Sequence, residues 1–391
     1  MRILFIHKAE LTFRPPVISA VLILSDLGHE VHLVTEGVTP YWRDELSRRH
    51  IGLHVVPNPW RGRWGAVGKV LAYRRFRREA FKVAQQLFPQ GREGLLWVEG
   101  AYTVVALGRQ VQRYPYVLQI QELHEESRLQ LKAIGRVIHG AQCVFMPEYT
   151  RCVLYQCWYK LKRRPTVLPN KPYFLASVDK ERLMEKYRTL TAQLDLSKPI
   201  ILYQGGMSRD RDLSGFVKAV YDMGPDYQLL LVGREDHVMD GYRRLNPRLI
   251  HFDYIPAPDY LLFTTLASIG IVSYDGDVLN NAFCAPNKIY EYAAYGLPVV
   301  GNDIPGLRNT VAYCGFGKVV DEHDSAAIAQ AIGDILADLP HYRERARAFY
   351  AGTDNIRTIR EVLAGISLSD SAEQEMPFPS ASPSPSNPEK L

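Results

Sequence analysis

Residues 1–35 read MRILFIHKAELTFRPPVISAVLILSDLGHEVHLVT, and the order of their apolar runs decides the fold class. Residues 3–6 are a short apolar run that predicts a buried strand. Residues 17–27 carry an apolar helix stopped by Gly28, and 30–35 alternate as a second strand. A strand, a helix and a strand in so short a stretch form a βαβ unit with a right-handed parallel crossover. Further runs at 52–56, 94–98, 116–120 and 143–146 continue the alternation, each separated by a helix-length segment. Two prolines then bracket a turn at 167–172, and the charged stretch that follows has no strand pattern. A second series starts at 200–203 and continues at 228–232, 249–252, 268–273, 297–301 and 318–320.

The expectation is therefore an α/β chain of two Rossmann-like doubly wound lobes facing a cleft. The N-terminal lobe spans 1–172, a linker 173–197 and the C-terminal lobe 198–339. Charged helices at 340–366 are expected to return to the N-terminal lobe. Residues 367–391, rich in Ser, Pro and Glu, have little to bury and are expected to be disordered. In such sheets ligands sit outside the carboxyl ends of the strands, where the strand order reverses. A chain of 391 residues exceeds one ordinary core, and 47% hydrophobic with 23% charged residues excludes collagen-like or mostly disordered classes. A net charge of +5 is too small to imply nucleic acid. The five cysteines form no CxxC pair and no zinc spacing, which fits a reducing cytoplasm and no metal. No apolar stretch approaches the roughly twenty residues of a membrane span.

Two segments carry candidate chemistry. After the strand at 200–203 comes Gln204-Gly205-Gly206-Met207-Ser208-Arg209-Asp210-Arg211-Asp212, with a helix expected from Asp212. Gly205 and Gly206 let the backbone approach a ligand, the helix end offers unpaired N–H groups, and Arg209 and Arg211 add charge, as a diphosphate cradle requires. A tight strand-to-helix turn with solvated arginines reads the same residues equally well. The second segment, 280–300, opens a helix near Pro286 and closes it at Gly296. Asn287, Lys288 and Glu291 then share one helical face, where a carboxylate can accept from two ribose hydroxyls and the amine can hold phosphate. An ordinary i,i+3 salt bridge between Lys288 and Glu291 is the competing reading.

The run Pro286-Asn287-Lys288-x-x-Glu291-Tyr292-x-x-x-Gly296-x-Pro298-Val299-Val300 resembles the donor-site motif of family-4-like retaining glycosyltransferases with the GT-B fold, in the Pro-Asn-Lys-x-x-Glu-Tyr subgroup. Gln204-Gly205-Gly206 with Arg211 resembles the family's Gly-rich turn. Arg14-Pro15-Pro16-Val17 with Gly28-His29-Glu30-Val31 resembles its opening βαβ unit. Gln121-Glu122-Leu123-His124-Glu125 resembles the Asp-x-His-Glu segment of bacterial cell-surface polysaccharide members. The resemblance covers most of residues 1–364. It implies a nucleoside diphosphate sugar as donor substrate and no metal or other cofactor. By position, Glu291 would hold the ribose, Arg211 and Lys288 the diphosphate, the backbone at Gly206 would face the phosphates, and His124 would reach the transferred sugar. Many members carry a glutamate eight residues before the ribose-binding one, touching a donor-sugar hydroxyl; here that position is Phe283. Without the family context a lone histidine near a strand end is more often structural.

The resemblance also makes the N-terminal lobe the acceptor side. Residues 60–83 hold eight basic residues against the single acid Glu79, with Trp60 and Trp64 among them. Such a helix is expected to contact an anionic membrane face, which suits a lipid-linked acceptor. A solvated basic helix packed through Leu71, Phe76 and Val83 is the bland reading, and nucleic acid a third. The resemblance therefore implies sugar transfer to a glycan or lipid-linked acceptor in cell-surface polysaccharide or glycolipid synthesis. The expected setting is the cytoplasm, at the inner face of the cytoplasmic membrane. A sugar-nucleotide epimerase on the same scaffold and a non-catalytic sugar-nucleotide-binding subunit are the alternatives.

Overall fold

Strands that alternate with helices in one chain direction are buried on both faces, so their sequences read as continuous apolar runs and their pairing is parallel. A computed structural model describes residues 1–11, 15–173, 177–208 and 211–366. The expectation of disorder at 367–391 lies outside these residues, as does Arg209. The first sheet contains β1 (Arg2–Glu10), β2 (Glu30–Gly37), β3 (Gly52–Val55), β4 (Gly94–Glu99), β5 (Tyr116–Gln119), β6 (Cys143–Met146) and β7 (Thr166–Val167). The second contains β8 (Ile200–Gln204), β9 (Gln228–Val232), β10 (Ile250–Phe252), β11 (Ile269–Val272), β12 (Val299–Asn302) and β13 (Gly317–Val320).

The strand orders are β3-β2-β1-β4-β5-β6-β7 and β10-β9-β8-β11-β12-β13, and the pairings are parallel. Each sheet thus reverses its order once, between β1 and β4 in the first and between β8 and β11 in the second, which opens a crevice at the strand ends. Side chains from alternate positions fill separate layers. Leu4 and Ile6 enter a core with Phe76 and Val98, whereas Ile3 and Phe5 enter the opposite one with Val21, Trp97, Ile359 and Leu363.

Those last two residues belong to the helix Asn355–Ala364, so the end of the described chain packs on the N-terminal lobe. The return is fixed by polar contacts as well: Asn355 Nδ2 donates to Pro169 O at 2.8 Å, and Lys171 Nζ to the carbonyls of Tyr350 and Thr353 at 2.7 Å each. The charged stretch between the lobes forms two short helices, Lys180–Lys186 and Arg188–Thr191. The basic segment is the helix Gly65–Leu87, which buries Ala72, Phe76, Ala80 and Val83 and leaves Trp64 (69%) and Val67 (62%) exposed at its start. Among the described residues no helix is long and apolar enough to cross a membrane.

Candidate active site

At the reversal in the second sheet, β8 ends at Gln204 and the chain turns through Gly205, whose φ of +143° lies in the region that disfavours a Cβ. Space imposes the same choice. A Cβ on Gly205 would stand 2.9 Å from Lys288 Nζ, and one on Gly233, after β9, would stand 2.2 Å from Gly205 O. Two glycine turns therefore pack backbone to backbone, joined upstream by Gly205 N donating to Val232 O at 2.9 Å. Gly206 is exposed, and its carbonyl accepts from Tyr203 Oη at 3.0 Å. The helix expected from Asp212 begins at Ser214, because the Asp212 carboxylate accepts from Ser214 N at 3.0 Å and from its hydroxyl at 2.7 Å, ahead of the first turn.

The helix Asn287–Ala294 approaches this turn from the side, with Pro286 at its N-cap and Gly296 at φ +65° beyond its end. Buried Tyr292 anchors it to β8, its Oη accepting from Gln204 N at 3.2 Å. The salt-bridge reading of its face does not describe the geometry. Glu291 Oε1 instead accepts from Tyr260 Oη at 2.8 Å. Lys288 Nζ lies 4.0 Å from the centre of the Tyr203 ring, buried and without a hydrogen-bond partner among the described residues, and Asn287 Oδ1 is likewise buried and unpartnered among them.

Burial dominates the charge states here. It lowers the Lys288 pKa below the ordinary lysine value, with Tyr203 and Glu291 opposing that shift and Arg211 reinforcing it. It raises the Glu291 pKa above the ordinary carboxylate value, against the pull of Tyr260 and Lys288. Arg211 joins the cluster from the other side, its guanidinium 5.3 Å from the Tyr274 ring centre. The structure thus brings Gly205, Arg211, Asn287, Lys288 and Glu291 to one place. An ammonium buried in this way beside a glycine turn and a helix N-terminus can be stabilised by an anion.

From the N-terminal lobe, the loop after β5 carries His124, half-buried and left-handed at φ +60°. Burial lowers its pKa below the ordinary histidine value, while Glu122 and Glu125 oppose the shift. This loop touches the segment just before the helix of Lys288: Leu123 N donates to Asn280 Oδ1 at 3.0 Å, and Asn280 N to Glu125 Oε1 at 2.6 Å. Sequence reasoning missed Tyr203, Gly233, Tyr260, Asn280 and Arg151. For Gly233 a signal existed, since a glycine directly after a strand marks a close backbone approach; the others are defined only by contacts across the fold.

Residues 198–338, the C-terminal lobe, match the family model described as "Glycosyl transferases group 1". No curated protein matches the sequence. Solved structures with the same fold include sucrose-phosphate synthase from Thermosynechococcus elongatus, with 20% identity, a TM-score of 0.66, and coverage of 93% of this chain and 98% of that one. HepE of Anabaena in complex with UDP-glucose has 15% identity, a TM-score of 0.67 and coverage of 93% and 98%. A glycosyltransferase of Rickettsia africae has 17% identity, a TM-score of 0.67 and coverage of 93% and 99%. The C-terminal lobe therefore carries a glycosyltransferase group 1 domain, and the two α/β lobes have the GT-B fold.

Proposed function

We propose that the protein moves a sugar from a nucleoside diphosphate sugar to a hydroxyl of a glycan or lipid-linked acceptor, with retention at the anomeric carbon, in cell-surface polysaccharide or glycolipid synthesis. The observation that carries this reading is Lys288 Nζ, buried and, among the described residues, unpartnered between the Gly205 turn and the start of its own helix. A buried cation in that state is stabilised by an anionic ligand, and the diphosphate of the donor supplies one. Glu291 holds the ribose hydroxyls, Arg211 and Lys288 take the diphosphate, the Gly206 backbone faces its oxygens and Asn287 supports it. Arg209 belongs to the same cradle by its place in the sequence. As the anomeric C–O bond breaks, its electron pair goes to the phosphate oxygen, and Lys288 and Arg211 stabilise the charge that accumulates there. His124 contacts the transferred sugar from across the cleft. No divalent ion enters this account, because the arginine, the lysine and the helix end supply the positive field. Retention rests on the family resemblance.

The acceptor side is the N-terminal lobe. The exposed Trp64 and Val67, flanked by Arg63 and Lys69, suit the headgroup region of an anionic bilayer, which is where a lipid-linked acceptor would be met. The reading sets the protein in the cytoplasm, at the inner face of the cytoplasmic membrane. The UDP-glucose held by the Anabaena neighbour makes uridine nucleotide sugars the first donors to try. The test is a screen of labelled nucleotide sugars for binding and slow hydrolysis by the purified protein, which needs no acceptor. One nucleotide sugar bound and slowly hydrolysed is the expected result; no binding by any of them contradicts the proposal.

A further inference from the structure

His124 stands in the left-handed region at φ +60°, which few residues with a Cβ adopt. The restraint on one side comes from the opposite lobe. Asn280 bonds to the residues immediately before and after His124, its side-chain oxygen accepting from Leu123 N at 3.0 Å and its own N–H donating to Glu125 Oε1 at 2.6 Å. A second residue locks this arrangement. Arg151, only 3% exposed, lies in the helix Tyr149–Tyr159 of the N-terminal lobe and spreads its guanidinium over three backbone carbonyls. Nη1 donates to Gln121 O, in the His124 loop; Nε donates to Phe283 O at 2.7 Å and Nη2 to Asn280 O at 2.6 Å, both in the C-terminal lobe. From the same helix Tyr155 Oη donates to Leu123 O at 3.1 Å.

A buried guanidinium is tolerated only where hydrogen bonds replace its water, and here the replacements come from both lobes at once. Separating the lobes at this point would leave the charge short of two acceptors and would release Asn280 from both neighbours of His124. The clasped segment, 280–283, runs within five residues into Asn287 and Lys288. We propose that Arg151 and Asn280 are positioning residues: together they clasp the donor-binding segment to the His124 loop and hold His124 in its left-handed conformation for sugar transfer. The transfer part of this inference rests on the function proposed above, whereas the clasp itself does not. Neither residue is among those assigned to the donor. Their loss therefore misplaces His124 while Lys288, Arg211 and Glu291 keep their grip on the nucleotide.

The test uses the full chain with 13C-labelled histidine, its His124 signal assigned with His124→Gln, and the variants Arg151→Lys and Asn280→Ala. Arg151→Lys keeps the charge but cannot reach three carbonyls; Asn280→Ala removes only a half-buried side chain, so it serves if the first variant fails to fold. In the wild type His124 titrates below the ordinary histidine value, because burial outweighs the opposing carboxylates of Glu122, Glu125 and Glu99, and Arg151 adds to the lowering. Releasing the loop exposes the ring, so its titration moves upward in both variants. With the nucleotide sugar found by the screen, starting from UDP-glucose, kcat falls about tenfold to a hundredfold, as expected for a displaced catalytic group, while the donor KM changes less than about twofold. An unmoved His124 titration overturns the clasp, and an undiminished kcat overturns its role in transfer. A wild type that hydrolyses no nucleotide sugar counts against the proposed function instead, and the titration still decides the clasp.

Discussion

At the reversal of strand order in the C-terminal lobe, β8 and β11 open onto two interlocked glycine turns, an unpartnered ammonium and a buried carboxylate. At the same reversal in the N-terminal lobe, β1 and β4 open onto charged groups that are paired: His7 Nδ1 with Glu99, although His7 Nε2 is buried without a partner among the described residues, and Lys8 Nζ with Glu36 at 2.7 Å, while Trp97 Nε1 donates to Gln119 Oε1 at 2.8 Å. The topology is shared, so it cannot be what separates the two sites. What separates them is whether a cation is left without its counter-charge. Lys8 has a carboxylate, whereas Lys288 has, among the described residues, a ring face and the field of Glu291 set against that of Arg211, and this is why the second crevice is the one proposed to take an anion.

The sharpest way to break this contrast is Lys288→Met. It removes the group facing the leaving diphosphate, so kcat falls about a hundredfold. The same change takes away a buried unpaired charge, so the thermal midpoint of the ligand-free protein rises, an opposition between activity and stability that a purely structural lysine would not show. Next in size, Glu291→Ala weakens donor binding more than about tenfold, or about 1.4 kcal/mol, in a calorimetric titration. Unchanged affinity contradicts the ribose assignment.

The glycine turns give a comparison inside stability. Gly233→Ala places a methyl group 2.2 Å from a backbone oxygen at φ +139°, and costs about 1–3 kcal/mol in denaturant unfolding. Gly100→Ala, at φ +83° after β4 with nothing within 4 Å, meets only the backbone term of about 1 kcal/mol. Equal losses would mean that the close packing of the C-terminal turns is not what demands glycine there.

Acidity sharpens the account further. Burial lowers the Lys288 pKa, and a bound diphosphate raises it again, so binding takes up a proton once pH exceeds the ligand-free value. Nucleoside diphosphate affinity therefore falls as pH rises through that depressed value, and the binding enthalpy depends on the buffer's ionisation heat. The smallest effect concerns the other lobe: Trp64→Ser with Lys69→Gln lowers binding to phosphatidylserine vesicles several-fold, about 1 kcal/mol per basic residue removed, and spares donor binding.

Much of this was legible in the sequence. The strands from β2 to β6 and β8 to β13 sit within two residues of the apolar runs that announced them, because parallel strands buried on both faces leave an unmistakable composition. β1 runs on to Glu10, past its apolar stretch, because its pairing with β2 continues beyond an irregularity after His7. β7 is a two-residue strand at the entry to what reads as a proline-bracketed turn. At the site, Asn287, Lys288 and Glu291 lie on one helix, so local spacing sufficed to group them. The partners that define their chemistry did not: Tyr260 reaches Glu291 across 31 residues and Arg151 reaches Phe283 across 132, separations for which a single sequence holds no pattern.

The most direct measurement is a crystal structure of the protein soaked with UDP, or with whichever nucleoside diphosphate the screen selects. Phosphate oxygens are expected within hydrogen-bonding distance of Lys288 Nζ and of the backbone at Gly205 and Gly206, with the ribose on Glu291. A nucleotide bound in the cleft with Lys288 still unpartnered, or seated against the N-terminal lobe, would contradict it.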